Sequence, residues 1–330
     1  MRGLFHFAAL KVRRPARLGY NWRQQEGAHV MAQNEDRPAK AAVWLLAARP
    51  KTLPAAAAPV LMGTAMAWEA GGVHLPSALC ALAAAALIQV GTNYANDYFD
   101  FAKGTDTVKR VGPTRATQAG LVAPRQMKYA TALVFGLAFL LGLYLAWRGG
   151  WPILLIGVLS ILFGVLYTAG PLPLGYIGAA DLFVLVFFGP VAVAGTYYVQ
   201  KLDFAWPPVV AGLAPGLLSV ALLTANNLRD VDTDREAGKK TLAVRFGKGF
   251  ARAEYALCLL GGLAVMPVVL TAALGGPGPV LAASALALPA LIPLRTVLRT
   301  SEPEALIGAL GATGKLLLLF SIVFSVGWLL

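Results

Sequence analysis

Two short polar clusters interrupt an otherwise oily chain. The first lies in "NYANDYFDFAKGTD", residues 93–106; the second is "NNLRDVDTDREAGKKTLAVRFG", which begins at Asn226. On a helix turning about 100° per residue, Asn93, Asp97 and Asp100 share one arc. Asn226, Asp230 and Asp234 repeat the arrangement at i, i+4 and i+8, while Asp232 points away from that face. Asp106 follows Gly104, where the chain can turn. Rows of carboxylates repel one another, and the cost grows at a membrane-embedded helix end. A cation must compensate. Oxygen donors without His or Cys suit a hard ion, Mg²⁺ above all, which typically bridges one or two carboxylates to substrate phosphates. Two such clusters facing each other would hold a diphosphate between two metal ions.

Basic residues flank both clusters. Arg110 and Arg115 lie in "KRVGPTRATQAG"; Arg229, Lys239, Lys240 and Arg245 accompany the second. Arg offers forked hydrogen bonds to phosphate oxygens and Lys a point charge. With Mg²⁺, such groups stabilise a departing pyrophosphate. Lys and Arg at membrane edges also serve orientation, so this second reading stands beside the first.

The elements that must position these residues are membrane helices. The chain has 330 residues, 58% hydrophobic and only 13% charged, against about a quarter charged in a soluble domain. Its mean hydropathy is +0.65. Apolar runs of about 20 residues recur, long enough to cross the hydrocarbon core as helices, and they lack the alternation of a barrel. The sequence therefore predicts an all-α membrane protein with nine transmembrane helices: 53–70, 75–98, 128–147, 151–169, 179–199, 207–228, 251–273, 279–298 and 312–330.

The net charge of +12 reads as topological and implies no nucleic-acid partner. With the N-terminus in the cytoplasm, the opposite side of the nine-span arrangement holds only Arg148 and Lys201 among 28 Lys and Arg residues. The long charged loops, 99–127 and 229–250, then face the cytoplasm, and the C-terminus faces away. Cys80 and Cys258 lie inside apolar runs and read as buried hydrophobes. His6, His29 and His74 lie outside those runs, which leaves no His-based metal centre. Residues 1–40 form a basic N-terminal extension ahead of an intramembrane domain over 41–330. Its Arg-rich, acid-poor start has the character of a transit peptide, or else Met31 is the true start. The recurrence of N-x-x-x-D at Asn93/Asp97 and Asn226/Asp230 marks a weak internal repeat across two spans running in the same direction.

The two acidic motifs resemble the signatures of the UbiA superfamily of intramembrane prenyltransferases. "QVGTNYANDYFDFAKGTDTVKRVGPTRATQAG", "YTAGPLPLGYIGAADLFVLVFFGPVAVAGTYYVQ" and "ARPKTLPAAAAPVLMGTA" are similar to its menaquinone-pathway branch, the 1,4-dihydroxy-2-naphthoate prenyltransferases. The likeness covers residues 40–330. It implies a nine-helix bundle with a central cavity open toward the cytoplasmic face and a lateral portal to lipid. It implies Mg²⁺-dependent transfer from a polyprenyl diphosphate to an aromatic acid in the inner membrane, with loss of CO₂ in this branch. By the same resemblance Asn93, Asp97, Asp100 and Asp106 form one metal and diphosphate site, and Asn226, Asp230 and Asp234 the other. Arg110, Arg115, Lys239 and Lys240 are diphosphate contacts. Tyr167, Tyr176 and Asp181 are candidates near the aromatic acceptor, with Ala180 standing where the family pattern has Gly. Two alternatives remain: another acceptor such as 4-hydroxybenzoate or homogentisate, and an ion-coupled transporter. The transporter requires acids near the bilayer midplane rather than at cytoplasmic helix ends.

Overall fold

The computed structural model describes residues 38–105, 112 and 114–330. Asp106, Arg110 and almost all of the 1–40 extension, Met31 included, lie outside the described residues. Every regular element among the described residues is helical. The apolar entry helix α1 (Lys40–Ala48) precedes α2 (Pro54–Glu69). Then follow α3 (Leu75–Lys103), α4 (Pro124–Gly149), α5 (Trp151–Leu166) and α6 (Ala180–Lys201). The series closes with α7 (Trp206–Arg229), α8 (Leu242–Leu274), α9 (Gly278–Arg299) and α10 (Pro303–Leu329).

These elements fall where the nine spans are expected, but they are not nine equal crossings. Seven helices, α3, α4 and α6–α10, are long and apolar enough to cross a membrane. α2 and α5 have 16 residues each, about 24 Å of helix against a hydrocarbon core of about 30 Å. Polar ends account for several differences in boundary. α3 begins where His74 Nδ1 accepts from the Ser77 N–H at 3.3 Å, with a proline in its first turn. It runs on through the acidic motif and ends at Gly104, whose φ of 68° only glycine adopts readily.

α7 is the axis of the bundle. Of its apolar window 78% is buried, against 17% for the peripheral α4. It carries the second acidic motif at its C-terminal end. α7 crosses α6 backbone to backbone at three glycines. A Cβ on Gly216 would stand 2.5 Å from the Leu185 carbonyl oxygen, and one on Gly212 would stand 2.6 Å from Pro190 Cα. Gly189 completes the contact, 2.6 Å from the Gly212 carbonyl oxygen by the same measure. In lipid, where apolar burial drives no association, such close approach supplies the packing. Gly216→Val is therefore expected to destabilise the fold by about 1–3 kcal/mol or more. Thermal unfolding in detergent checks this; an unchanged melting temperature would show that the crossing tolerates a spacer.

The end of the bundle remote from the acidic motifs carries exposed Trp68, Trp147, Trp151, Phe204 and Trp206. Aromatic rings of this kind gather at membrane–water interfaces. The two basic residues at this end are tied to helix C-termini. Arg148 donates to the carbonyls of Val199 (2.9 Å) and Gln200 (3.1 Å), and Lys201 Nζ donates to Ala70 (2.5 Å). Orphan carbonyls at helix ends attract cations, so these exceptions to the charge bias have a structural occupation.

Candidate functional site

Two connected cavities lie among the helices. The larger, about 320 Å³, is lined by Ala, Ile, Leu, Val and Phe side chains of α2–α7, with Phe163, Phe183 and Phe187 forming one aromatic cluster. The smaller, about 70 Å³, is polar, and Asp100, Asp230, Asp234, Arg115 and Lys239 line it. Arg49, Asn96, Tyr167 and Asn226 line both and mark their junction. A charged head group and a long apolar tail joined end to end match this pair of spaces.

Three sequence-distant segments build the polar cavity. α3 contributes Asp100, buried at 3% exposure, whose Oδ2 meets Arg115 Nη2 at 3.0 Å and Lys239 Nζ at 3.8 Å. The turn after α7 contributes Asp230, gripped by the adjacent Arg229 through Nε (2.7 Å) and Nη2 (2.6 Å). The same guanidinium reaches Asn226 Oδ1 at 2.7 Å. Asp234 lies one turn on and pairs with Lys239 Nζ at 3.3 Å. Lys239 thus stands between Asp100 and Asp234, binding the two acidic motifs into one site. With Arg115 on Asp100 and Arg229 on Asp230, the three carboxylates meet three basic side chains, so a further cation would enter together with an anionic ligand.

The third segment, residues 167–178, joins α5 to α6 and is fastened to both motifs. Lys103 Nζ donates to the carbonyl of Thr168 at 2.5 Å, and the Thr168 hydroxyl donates to Asn96 Oδ1. On the other side the Lys240 N–H donates to the Tyr176 carbonyl (2.7 Å) and Arg245 Nη2 to the Ile177 carbonyl (2.8 Å).

The structure brings together Asp100, Asn226, Asp230, Asp234, Arg115, Arg229 and Lys239, all expected from the sequence. Asn93 lines the apolar cavity; its amide donates to the Ala48 carbonyl (2.9 Å) and Thr52 Oγ1 (3.2 Å). Asp97 faces the following loop. Its Oδ2 accepts from the Ala116 N–H at 2.9 Å and its Oδ1 from the Thr117 N–H at 3.0 Å. The Lys240 side chain is exposed, and the residue meets the site through its backbone. Tyr167 stands at the junction, whereas Tyr176 lines the polar cavity alone. Asp181 is buried at 7% exposure and lines neither cavity.

Arg49, Asn96, Asn227 and Lys103 were not singled out by spacing. Arg49 adopts a left-handed backbone (φ 54°, ψ 70°) at the turn into α2, a conformation that marks functional sites when a non-glycine residue holds it. The string "ARPKTLP" contained Arg49, but no helical periodicity flagged it.

The donor set fits a hard divalent cation. Asp100, Asp230 and Asp234 bring carboxylate oxygens to one cavity, and Asn226 an amide. Among the described residues no group of three or more His, Cys, Asp or Glu forms a ready-made cage.

Comparison with known proteins agrees with this geometry. Residues 56–310 match the UbiA prenyltransferase family. The chain is 39% identical over 302 residues to the 1,4-dihydroxy-2-naphthoate octaprenyltransferase of Escherichia coli, covering 89% of this chain and 97% of that protein. It is 42% identical over 285 residues to the protein of the same name from Mycobacterium tuberculosis, covering 83% and 97%. In fold it is similar to a UbiA homologue from Aeropyrum pernix, with TM-score 0.61, 16% identity and coverage of 84% and 97%. It is also similar to one from Archaeoglobus fulgidus bound to GPP and Mg²⁺, with TM-score 0.56, 15% identity and coverage of 86% and 99%.

Proposed function

The chain belongs to the UbiA prenyltransferase family, and we propose from that premise that it transfers a polyprenyl group from its diphosphate to 1,4-dihydroxy-2-naphthoate, releasing CO₂ and diphosphate and forming demethylmenaquinone in its reduced, quinol form. The observation that carries this reading is the convergence of both acidic motifs on Lys239 at the mouth of an apolar cavity. The names of the relatives support the acceptor. The protein is a multi-pass membrane enzyme, and residues 41–330 constitute its catalytic domain.

Asp100, Asp230, Asp234 and Asn226 would hold Mg²⁺, with Asp106 proposed as a further ligand. Bound there, Mg²⁺ supplies charge neutralisation for a leaving diphosphate. The chain's own cations share that task. Arg115 and Lys239 offer N–H donors to diphosphate oxygens, while Arg229 holds Asp230 and Asn226 in place behind them; Arg110 is proposed as a further diphosphate contact. The allylic C–O bond breaks, and its electron pair leaves with the diphosphate. The ring carbon bearing the carboxylate attacks the allylic carbon. The carbon–carboxylate bond then breaks, its electrons return to the ring, and CO₂ departs. Tyr167 lines the junction, where an aromatic ring can stabilise the developing cation. The apolar cavity excludes water that would otherwise capture the cation.

The test uses membranes, Mg²⁺, labelled polyprenyl diphosphate and a panel of aromatic acids. Expected is a prenylated product with 1,4-dihydroxy-2-naphthoate and stoichiometric CO₂ from its carboxyl group. Product with 4-hydroxybenzoate or homogentisate instead would move the chain to another branch; no product with any acceptor would overturn the reading.

The charge bias supports a cytoplasmic site. Lys240→Cys and Asp203→Cys lie at opposite ends of the bundle on exposed positions. An impermeant maleimide is expected to label the first only in inverted vesicles and the second only in right-side-out vesicles. The reverse pattern would invert the topology.

A further inference from the structure

The Tyr176 side chain has two jobs in the geometry, and both concern the diphosphate side of the site. Its hydroxyl lies 2.7 Å from Asp100 Oδ1 and 2.9 Å from Thr105 Oγ1. An ionised carboxylate only accepts, so the one phenolic proton goes to Asp100 and the Thr105 hydroxyl donates to the phenol. Two ammonium groups lie over its ring: Lys103 Nζ is 4.8 Å from the centroid and Lys239 Nζ 5.0 Å. Lys103 is fixed by the carbonyls of Thr168 and Gly170, and Lys239 by Asp100 and Asp234. The ring attracts both cations and so helps to hold Lys239 against both acids.

We propose that Tyr176 is a positioning residue that acts through Asp100 and Lys239 on metal and diphosphate binding, and does not contact the aromatic acceptor. The sequence pattern groups it with Tyr167, yet only Tyr167 reaches the apolar cavity. The phenol aims one Asp100 oxygen by occupying it and leaves the other to Arg115 and an incoming cation. Lys240, whose N–H holds the Tyr176 carbonyl, fixes the backbone of the same residue from the second motif. The inference rests on the diphosphate reading of the site.

Two variants separate the jobs. Tyr176→Phe removes the hydroxyl and keeps the ring; Tyr176→Leu removes both. Detergent-solubilised protein is titrated with Mn²⁺ in the presence of inorganic diphosphate, followed by the electron paramagnetic resonance of free Mn²⁺. Separately, KM is measured for each substrate. Tyr176→Phe is expected to weaken Mn²⁺ binding about tenfold, and Tyr176→Leu further. Acceptor KM stays within about twofold of wild type in both. Thr105→Val, which removes a hydroxyl 2.9 Å from the phenol and 3.1 Å from the Asp100 carbonyl oxygen, is expected to shift Mn²⁺ affinity in the same direction by less. Unchanged Mn²⁺ affinity in Tyr176→Phe, or a rise in acceptor KM with metal affinity intact, would overturn the inference. Wild-type protein that binds no Mn²⁺ with diphosphate would instead refute the diphosphate reading beneath it.

Discussion

Asp230→Asn is expected to lower kcat/KM by about 10²–10³-fold while leaving the fold intact. The substitution is close to isosteric. The new amide oxygen accepts one of the two bonds from Arg229 while its NH2 group faces the other, a modest cost, and Arg229 keeps its bond to Asn226 at 2.7 Å. No buried guanidinium is stranded, so the large penalty of breaking a buried ion pair is reduced. One negative charge disappears from a cavity whose proposed ligands are all oxygen. The site then holds Arg115, Arg229 and Lys239 against Asp100 and Asp234, a balance that disfavours a further divalent cation. The loss should therefore depend on metal: raising Mg²⁺ recovers part of the rate by mass action. Steady-state kinetics across a Mg²⁺ titration, beside a melting curve, checks both halves. Activity within about threefold of wild type at every Mg²⁺ concentration would remove Asp230 from the site.

The fold was legible because lipid leaves few options. Backbone groups without water must be satisfied within helices, so long apolar runs translate directly into elements. What did not translate was helix length. α2 and α5 have 16 residues each, and α8 is interrupted by a π turn at Gly261–Val265 with Pro267 just beyond it. Hydropathy counts apolar residues; it does not record where a proline removes a donor or where a helix stops because its neighbour's loop fills the space. The glycine crossing of α6 and α7 was invisible for a related reason. Gly189, Gly212 and Gly216 matter through the backbone they approach, and that backbone belongs to another segment.

The site was legible at the level of residue type and only partly at the level of direction. Helical spacing gathers Asn93, Asp97 and Asp100 on one arc, but an arc has two edges. Asn96 and Asp97 fall on opposite sides of the line through Asn93 and Asp100, about 100° apart. The structure turns the Asn96 edge toward the cavities and the Asp97 edge toward residues 114–120. A loop's position cannot be read from a helix's period, so the choice between edges was not available to spacing. Arg229, by contrast, meets the second motif through its sequence neighbours, bonding Asp230 and Asn226.

Asp97→Ala is expected to abolish most activity by a different route, and its signature should differ from that of Asp230→Asn. The carboxylate takes the N–H groups of Ala116 and Thr117 at 2.9 and 3.0 Å, and both residues are buried. Removing it orphans two buried donors, at about 1–3 kcal/mol each. The same loop carries Arg115, whose guanidinium holds Asp100 from 3.0 Å. Loosening the loop frees Arg115 from its register, so one substitution outside the cavity disarms a cation inside it. The melting temperature should fall, and added Mg²⁺ should not restore the rate, because the lost element is a loop anchor. Asp97→Asn keeps one acceptor but sets its amide against the second N–H, so it should be intermediate in both stability and rate. A melting temperature equal to wild type, with activity rescued by Mg²⁺, would instead make Asp97 a metal ligand and return it to the arc on which the sequence first grouped it.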